Sequence, residues 1–289
     1  MQTISESEAL RALVAELRRS GQRIGFVPTM GNLHAGHHSL LGLARERADV
    51  VIASVFVNPT QFGPNEDFER YPRTPEADAA GLAAQGCDVL FLPTVVDLYP
   101  YGAERSVTIR VPDLCDVLEG AIRPGHFDGV ATVVAKLFNL VQPDVAVFGQ
   151  KDYQQLLVIR RMVRDLGFPI EIASAPIVRE RNGLAMSSRN QYLSAEQRER
   201  AGVIQVTLLR MAEGVAAAWQ SVAQIEAEAH ERLAQAGMAV DYAVIRDADD
   251  LGPVDNVKRD GGVALIAARF GSTRLIDNRL LDSNAVEHV

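Results

Sequence analysis

A chain of 289 residues, 47% hydrophobic and 23% charged, has the make-up of a soluble globular protein with room for two cores. Its formal net charge of −8, without a basic tract, argues against a nucleic-acid partner, although a local cationic pocket can still hold a nucleotide. The polar residues 1–10 do not read as a signal peptide, residues 50–57 fall far short of the roughly 20 apolar residues of a membrane helix, and Cys87 and Cys115 show no metal or disulfide spacing, so a cytoplasmic setting is expected.

Leu10, Leu13, Val14 and Leu17 recur at helical spacing and stop before Gly21, which predicts an amphipathic helix. Residues 23–28 read as a short strand, and a helix is expected from about 36 to 47. Residues 50–57 are continuous and β-branched, as in a strand buried on both faces of a parallel sheet. Helix and strand then alternate: 74–84 helical, 89–92 extended, 129–141 helical, 145–148 extended, 152–166 helical, 170–178 extended. Such alternation implies βαβ units and a doubly wound parallel sheet, an α/β domain over residues 1–178. Further on, Ser194-Ala195-Glu196-Gln197 is a capping box expected to open one long Ala-rich helix. A second helix is expected over 221–235, and extended segments over 240–246, 263–269 and 273–276. Residues 179–289 thus read as a smaller α+β domain, with the polar stretch 179–194 as the hinge.

In open α/β sheets, ligands sit at the carboxyl ends of the strands, near the point where the winding reverses. After the first predicted strand comes Pro28-Thr29-Met30-Gly31-Asn32-Leu33-His34-Ala35-Gly36-His37. A helix N-terminus offers N–H groups and the positive end of a dipole, and two imidazoles there would add donors for phosphate oxygens. The same residues also read as surface histidines, or, with His38, as a metal site short of Cys or carboxylate ligands. Gly149-Gln150-Lys151-Asp152 puts a cation where a helix dipole disfavours it, a conflict that a bound anion removes; an exposed lysine is the alternative. Met186-Ser187-Ser188-Arg189-Asn190 offers two hydroxyls and a guanidinium at the domain boundary, suited to a lid over triphosphate or to an ordinary loop. Asn58-Pro59-Thr60-Gln61 and Gln155 offer amides to a polar, hydroxylated substrate. Residues 63–75, rich in Gly, Pro and charge, read as a gate.

The glycine-flanked H-x-G-H pattern resembles the nucleotide-binding signature of adenylyltransferases and class I tRNA synthetases. Joined to residues 55–74, to Arg123-Pro124-Gly125-His126-Phe127, to Gly149-Gln150-Lys151-Asp152 and to residues 176–193, it makes the chain similar to the pantothenate synthetase (pantoate–β-alanine ligase) family. The similarity continues through Ile245-Arg246-Asp247-Ala248 and Thr273-Arg274-Leu275-Ile276-Asp277-Asn278 and so covers nearly the whole chain. This resemblance implies a Rossmann-like domain with a smaller C-terminal lid, usually as a homodimer. It implies a two-step reaction in which pantoate attacks the α-phosphate of ATP, and β-alanine then attacks the pantoyl adenylate to release AMP. Magnesium (Mg2+) is implied as the companion of ATP.

Site roles follow from the same resemblance. His34, His37, Lys151, Ser187, Ser188 and Arg189 match the phosphate-handling, catalytic residues. Met30, Gly31, Gly149, Asp152, Val178 and Met186 match the nucleotide cleft. Gln61 and Gln155, with Asn58 and Arg123, match the pantoate pocket, and Asp78 is the expected carboxylate for magnesium. Two rival readings stay open: an adenylyltransferase acting on a phosphate-bearing acceptor, and a nucleotide-binding module without catalysis. The first would need a cationic pocket where this chain has Asn58, Gln61 and Gln155.

Overall fold

The computed structural model describes residues 1–64, 66, 68–217, 220–254, 257 and 261–281; positions 65 and 67 of the expected gate and positions 282–289 of the expected second domain lie outside them. The chain divides into one unit of Met1–Gln150 with Gln154–Pro176, and another of Lys151–Tyr153 with Ile177 onward.

The first unit holds a six-stranded parallel sheet of β1 (Gln2–Ile4), β2 (Ile24–Thr29), β3 (Val50–Val55), β4 (Val89–Phe91), β5 (Val145–Gly149) and β6 (Glu171–Ala175). The order is β1-β4-β3-β2-β5-β6, and neighbouring strands run parallel. Val50, Val51, Ile52 and Ala53 are all buried, so both faces of β3 are covered and the sequence shows no polar alternation there. The winding proceeds from β2 through β3 to β4 on one side and from β5 to β6 on the other. It therefore reverses between β2 and β5, where Gly25 pairs with Val145, and the crevice beyond those two carboxyl ends is the natural ligand position.

Around this sheet stand α1 (Ser7–Arg19), α2 (Ala35–Arg47), α3 (Pro75–Ala84), the short α4 (Val95–Leu98) and α5 (Glu119–Ile122), α6 (His126–Val141) and α7 (Tyr153–Asp165). Phe138 of α6 meets Phe26 of β2, Phe148 of β5 and Phe168 edge-on, with centroids 6.3, 6.4 and 5.9 Å apart, which locks the helix to the central strands. Two differences from the sequence reading stand out. Strand β1 was not expected: three residues carry no readable period, and the strand exists only by pairing with β4. Helix α6 begins one turn before Gly129, the expected start. Gly129 instead marks a close approach, since a Cβ there would lie 2.4 Å from the carbonyl oxygen of Thr60.

In the second unit, α8 (Ala195–Arg200), α9 (Val203–Ala217) and α10 (Val222–Gln235) accompany an antiparallel sheet ordered β7 (Ala239–Arg246), β8 (Val263–Phe270), β9 (Thr273–Leu280). Leu208, Met211, Ile225, Leu233, Ile245 and Ile266 pack in its core. The capping box Ser194/Gln197 forms as read, and a second one, Ser221/Gln224, opens α10. The single long helix does not: Asn182 Nδ2 donates to the carbonyls of Arg198 (2.7 Å) and Glu199 (3.2 Å), and these end α8 instead of continuing it. The expected hinge is likewise an anchored hairpin inside this unit, where the N–H of Met186 donates to Val178 O and that of Glu180 to Leu184 O.

Candidate active site

Beyond β2 the chain turns through Gly31 (φ 82°) and Asn32 (φ 50°) into α2. Asp78, in the first turn of α3, accepts the N–H groups of Asn32 (3.0 Å) and Leu33 (2.8 Å) and the hydroxyl of Thr74 (3.1 Å). A Cβ at position 31 would sit 2.8 Å from Asp78 Oδ2, so both the positive φ and the close contact call for glycine. Asp78 is 3% exposed and braces this loop from behind. Both oxygens of the carboxylate expected to meet magnesium are therefore engaged by the loop, and among the described residues no group of three His, Cys, Asp or Glu side chains is placed to hold a metal.

His34 caps α2. Its Nδ1 accepts the N–H of Gly36 at 3.1 Å, while His37 Nδ1 accepts the N–H of His34 at 3.3 Å. The two rings lie 4.1 Å apart, centroid to centroid. A ring whose Nδ1 accepts carries its proton, when neutral, on Nε2, so the capping geometry sets the tautomer of both imidazoles. Both rings, as Nε2–H tautomers when neutral, stand at the positive end of a 13-residue helix with no acid in its first turn, the setting in which phosphate binds. His38 does not join the pair. Its Nε2 is buried, has no hydrogen-bond partner among the described residues and faces Gly81 of α3.

Asn58 is 1% exposed, and the protein takes up all of its hydrogen-bonding capacity. Its Nδ2 donates to Gln61 Oε1 and to Gly129 O, both at 3.1 Å, and its Oδ1 accepts from Thr60 Oγ1 (3.0 Å) and the Tyr99 hydroxyl (2.8 Å). Asn58, expected in the pantoate pocket, thus orients Gln61 through its own side-chain hydrogen bonds. Gln61 Nε2 reaches Met30 Sδ at 3.0 Å, which sets the residues following β2 and β3 side by side. Gln155 is half-buried in the first turn of α7. Arg123 was expected at pantoate. Its Nε and Nη2 donate to Glu66, in the segment expected as a gate, each at 2.6 Å, and its Nη1 lies 3.0 Å from His126 Nε2. The sequence reading gave no role to Glu66 or to His126, which it met only as part of a motif, because only contacts between distant segments reveal them.

The second unit carries the remaining candidates. Lys151 follows Gly149, the last residue of β5, by two positions and precedes α7, with its ammonium 3.9 Å from Asp152 Oδ2. Ser187 caps a 3₁₀ turn at Ser188–Tyr192 by accepting the N–H of Arg189 at 3.3 Å. Asn190 anchors that turn through Glu180 Oε1 (2.7 Å) and Ala185 O (3.1 Å). Met186 and Val178 are joined across the hairpin by a 2.9 Å backbone bond. Arg179, at its base, forms a bidentate pair with Asp277 of β9, at 2.6 and 3.0 Å.

Residues 2–280 match the family model for pantoate-beta-alanine ligase. The chain is 62% identical to the pantothenate synthetase of Xylella fastidiosa (strain M12) over 276 residues, which is 96% of this chain and 98% of that one. To the pantothenate synthetase of Stenotrophomonas maltophilia (strain K279a) it is 61% identical over 280 residues, 96% and 99% of the two chains. Among solved structures it is similar to the pantothenate synthetase of Thermus thermophilus, with TM-score 0.90, 49% identity and coverage of 98% and 100%. It is also similar to the pantoate-beta-alanine ligase of Francisella tularensis complexed with beta-gamma ATP and beta-alanine, with TM-score 0.81, 35% identity and coverage of 97% and 98%.

Proposed function

The chain belongs to the pantoate-beta-alanine ligase family, ATP-using enzymes that join pantoate to β-alanine, and we propose that it does so through a pantoyl adenylate. The observation that carries the proposal is the reciprocal capping of His34 and His37, which fixes two imidazoles, Nε2–H tautomers when neutral, at the N-terminus of α2. Attack of a carboxylate on the α-phosphate of ATP adds negative charge to oxygens that already repel the nucleophile. Fixed donors aimed at that charge stabilise the transition state more than any other single effect.

Asn58 holds the Gln61 amide in one orientation, and Gln61 and Gln155 then grip the carboxylate and hydroxyl groups of pantoate. Met30, Gly31, Gly149, Asp152, Val178 and Met186 contact the nucleotide. Lys151, Ser187, Ser188 and Arg189 donate to its phosphates. A lid role for the C-terminal unit belongs to the same proposal, supported by the grouping of those four donors in one unit. In the second step the amine of β-alanine attacks the acyl carbon, the C–N bond forms, and the bond from that carbon to the AMP oxygen breaks. Both nucleophiles belong to substrates, so no nucleophilic side chain is required.

Magnesium is proposed to arrive with the triphosphate, held chiefly by phosphate oxygens and water. The donor set does not fit a resident ion, because both Asp78 oxygens already serve the loop, and no step is assigned to one. Neutral amides at positions 61 and 155 favour pantoate over the phosphate-bearing acceptor of an adenylyltransferase. A homodimer is proposed from Val96, Tyr101 and Val107, large side chains left exposed in one stretch of the first unit. A cytoplasmic setting is proposed from two free, buried cysteines. The test is isotope exchange: pyrophosphate should exchange into ATP with pantoate alone, and AMP should appear only when β-alanine is added. Formation of ADP and phosphate instead would exclude the adenylate.

A further inference from the structure

Two segments of the C-terminal unit have no part in the reaction so far, Asp247-Ala248 after β7 and Asp277-Asn278 within β9. Both meet the short piece of chain that carries Lys151. Asn278 Nδ2 donates to the Lys151 carbonyl at 2.8 Å, and the Tyr153 hydroxyl donates to the Ala248 carbonyl at 2.7 Å. Lys151–Tyr153 accordingly groups with the C-terminal unit, although the chain on either side of it belongs to the first. Asn278 and Tyr153 are buried, at 2% and 6% exposure, so losing either acceptor would leave a buried donor to be satisfied elsewhere. Beside Asn278, Asp277 balances the guanidinium of Arg179, and the charge of Lys151 also bears on it.

We propose that Asn278 and Tyr153 are positioning residues for Lys151, holding the tripeptide at both ends so that its ammonium is delivered to the phosphates from one fixed backbone position. A lysine side chain is long and flexible, so the placement of its charge is only as good as the placement of its backbone. Adenylation is sensitive to small displacements of such a donor, and the loss falls on the rate of the step and not on the fold. The inference rests on the phosphate-handling role proposed for Lys151.

The experiment measures pantoate-dependent pyrophosphate exchange in Asn278→Ala, Tyr153→Phe, Lys151→Ala and the double variant Asn278→Ala/Lys151→Ala. Asn278→Ala and Tyr153→Phe should each lower kcat about tenfold, the worth of one buried hydrogen bond, with the KM for pantoate unchanged. Asn278→Gln, which keeps the donor, should recover part of the loss. In the Lys151→Ala background the Asn278 substitution should have no further effect, because the group it positions is gone. Losses that simply multiply in the double variant, with Lys151→Ala itself impaired, would overturn the inference alone. Full exchange in Lys151→Ala would overturn the reading of Lys151 and this inference with it. Should Asn278→Ala not fold, Tyr153→Phe in the two backgrounds decides the matter.

Discussion

Glu66 and Arg123, 57 positions apart, meet through two parallel charge-assisted hydrogen bonds of 2.6 Å. The contact does not end there. Arg123 Nη1 lies 3.0 Å from His126 Nε2, and His126 Nδ1–H donates to the carbonyl of Gln61 at 2.8 Å. A carbonyl can only accept, so the proton sits on Nδ1 and Nε2 takes the guanidinium hydrogen. Glu66, in the loop that follows Gly63, is thus tied through two side chains to the backbone of the proposed pantoate-binding glutamine. Burial pushes the Glu66 carboxyl up, but hydrogen bonding and charge from Arg123 outweigh it and hold the group below the usual carboxylate range.

The network should make stability depend on pH in a defined window. Burial, aided by the Arg123 charge, pushes the His126 imidazole down to about 4 from 6.5. Above 6.5 the ring is neutral whether the chain is folded or not. Between 6.5 and 4 the unfolded chain takes a proton that the native ring refuses, so stability falls as the pH falls. Glu66, whose folded value is lowered, keeps its contribution above its unfolded value of 4.5 and loses it as the pH falls further. His126→Asn, which retains a donor for Gln61, should flatten the fall in Tm across this window. An unchanged slope in the variant would count against the network.

His34 combines two roles that one substitution can separate. Asparagine is a strong N-cap residue, so His34→Asn should keep the bond to Gly36 and leave Tm close to wild type. It removes the Nε2–H donor, and adenylation should slow by about 10²–10³-fold, as for other preorganised transition-state donors. His34→Ala should lose both, with about 1 kcal/mol of stability in addition. Normal exchange in His34→Asn would show that the imidazole serves only as a cap.

Asp78 discriminates between bracing and metal binding. In Asp78→Asn one oxygen becomes an amide that turns its own hydrogens toward backbone N–H donors, leaving a buried donor unsatisfied at a cost of about 1–3 kcal/mol. The urea midpoint should drop, and the magnesium concentration that half-saturates exchange should stay within about twofold, since ATP phosphates hold most of the ion. A large rise in the magnesium requirement at wild-type stability would reverse the assignment.

Sequence alone determined what repeats within a few residues. The helical period of Leu10, Leu13, Val14 and Leu17, the β-branched run after Asp49 and the cap at Ser194 are local signals; the first two became the expected helix and strand, and the third opened a helix where expected, though a shorter one. The order of those elements made the parallel sheet legible, and with it the loop bearing His34 and His37. Only the tertiary structure decided which polar side chains are held by distant parts of the chain. Asp78 meets Asn32 across 46 positions, Arg123 meets Glu66 across 57 and Asn58 meets Gly129 across 71. In each case a side chain that reads as a binding group in sequence is satisfied by a partner far along the chain. The same holds for Asn182, which ends α8, and for Asn278, which anchors Lys151. A buried polar group must find its hydrogen bonds somewhere, and periodicity carries no record of partners that only folding brings near.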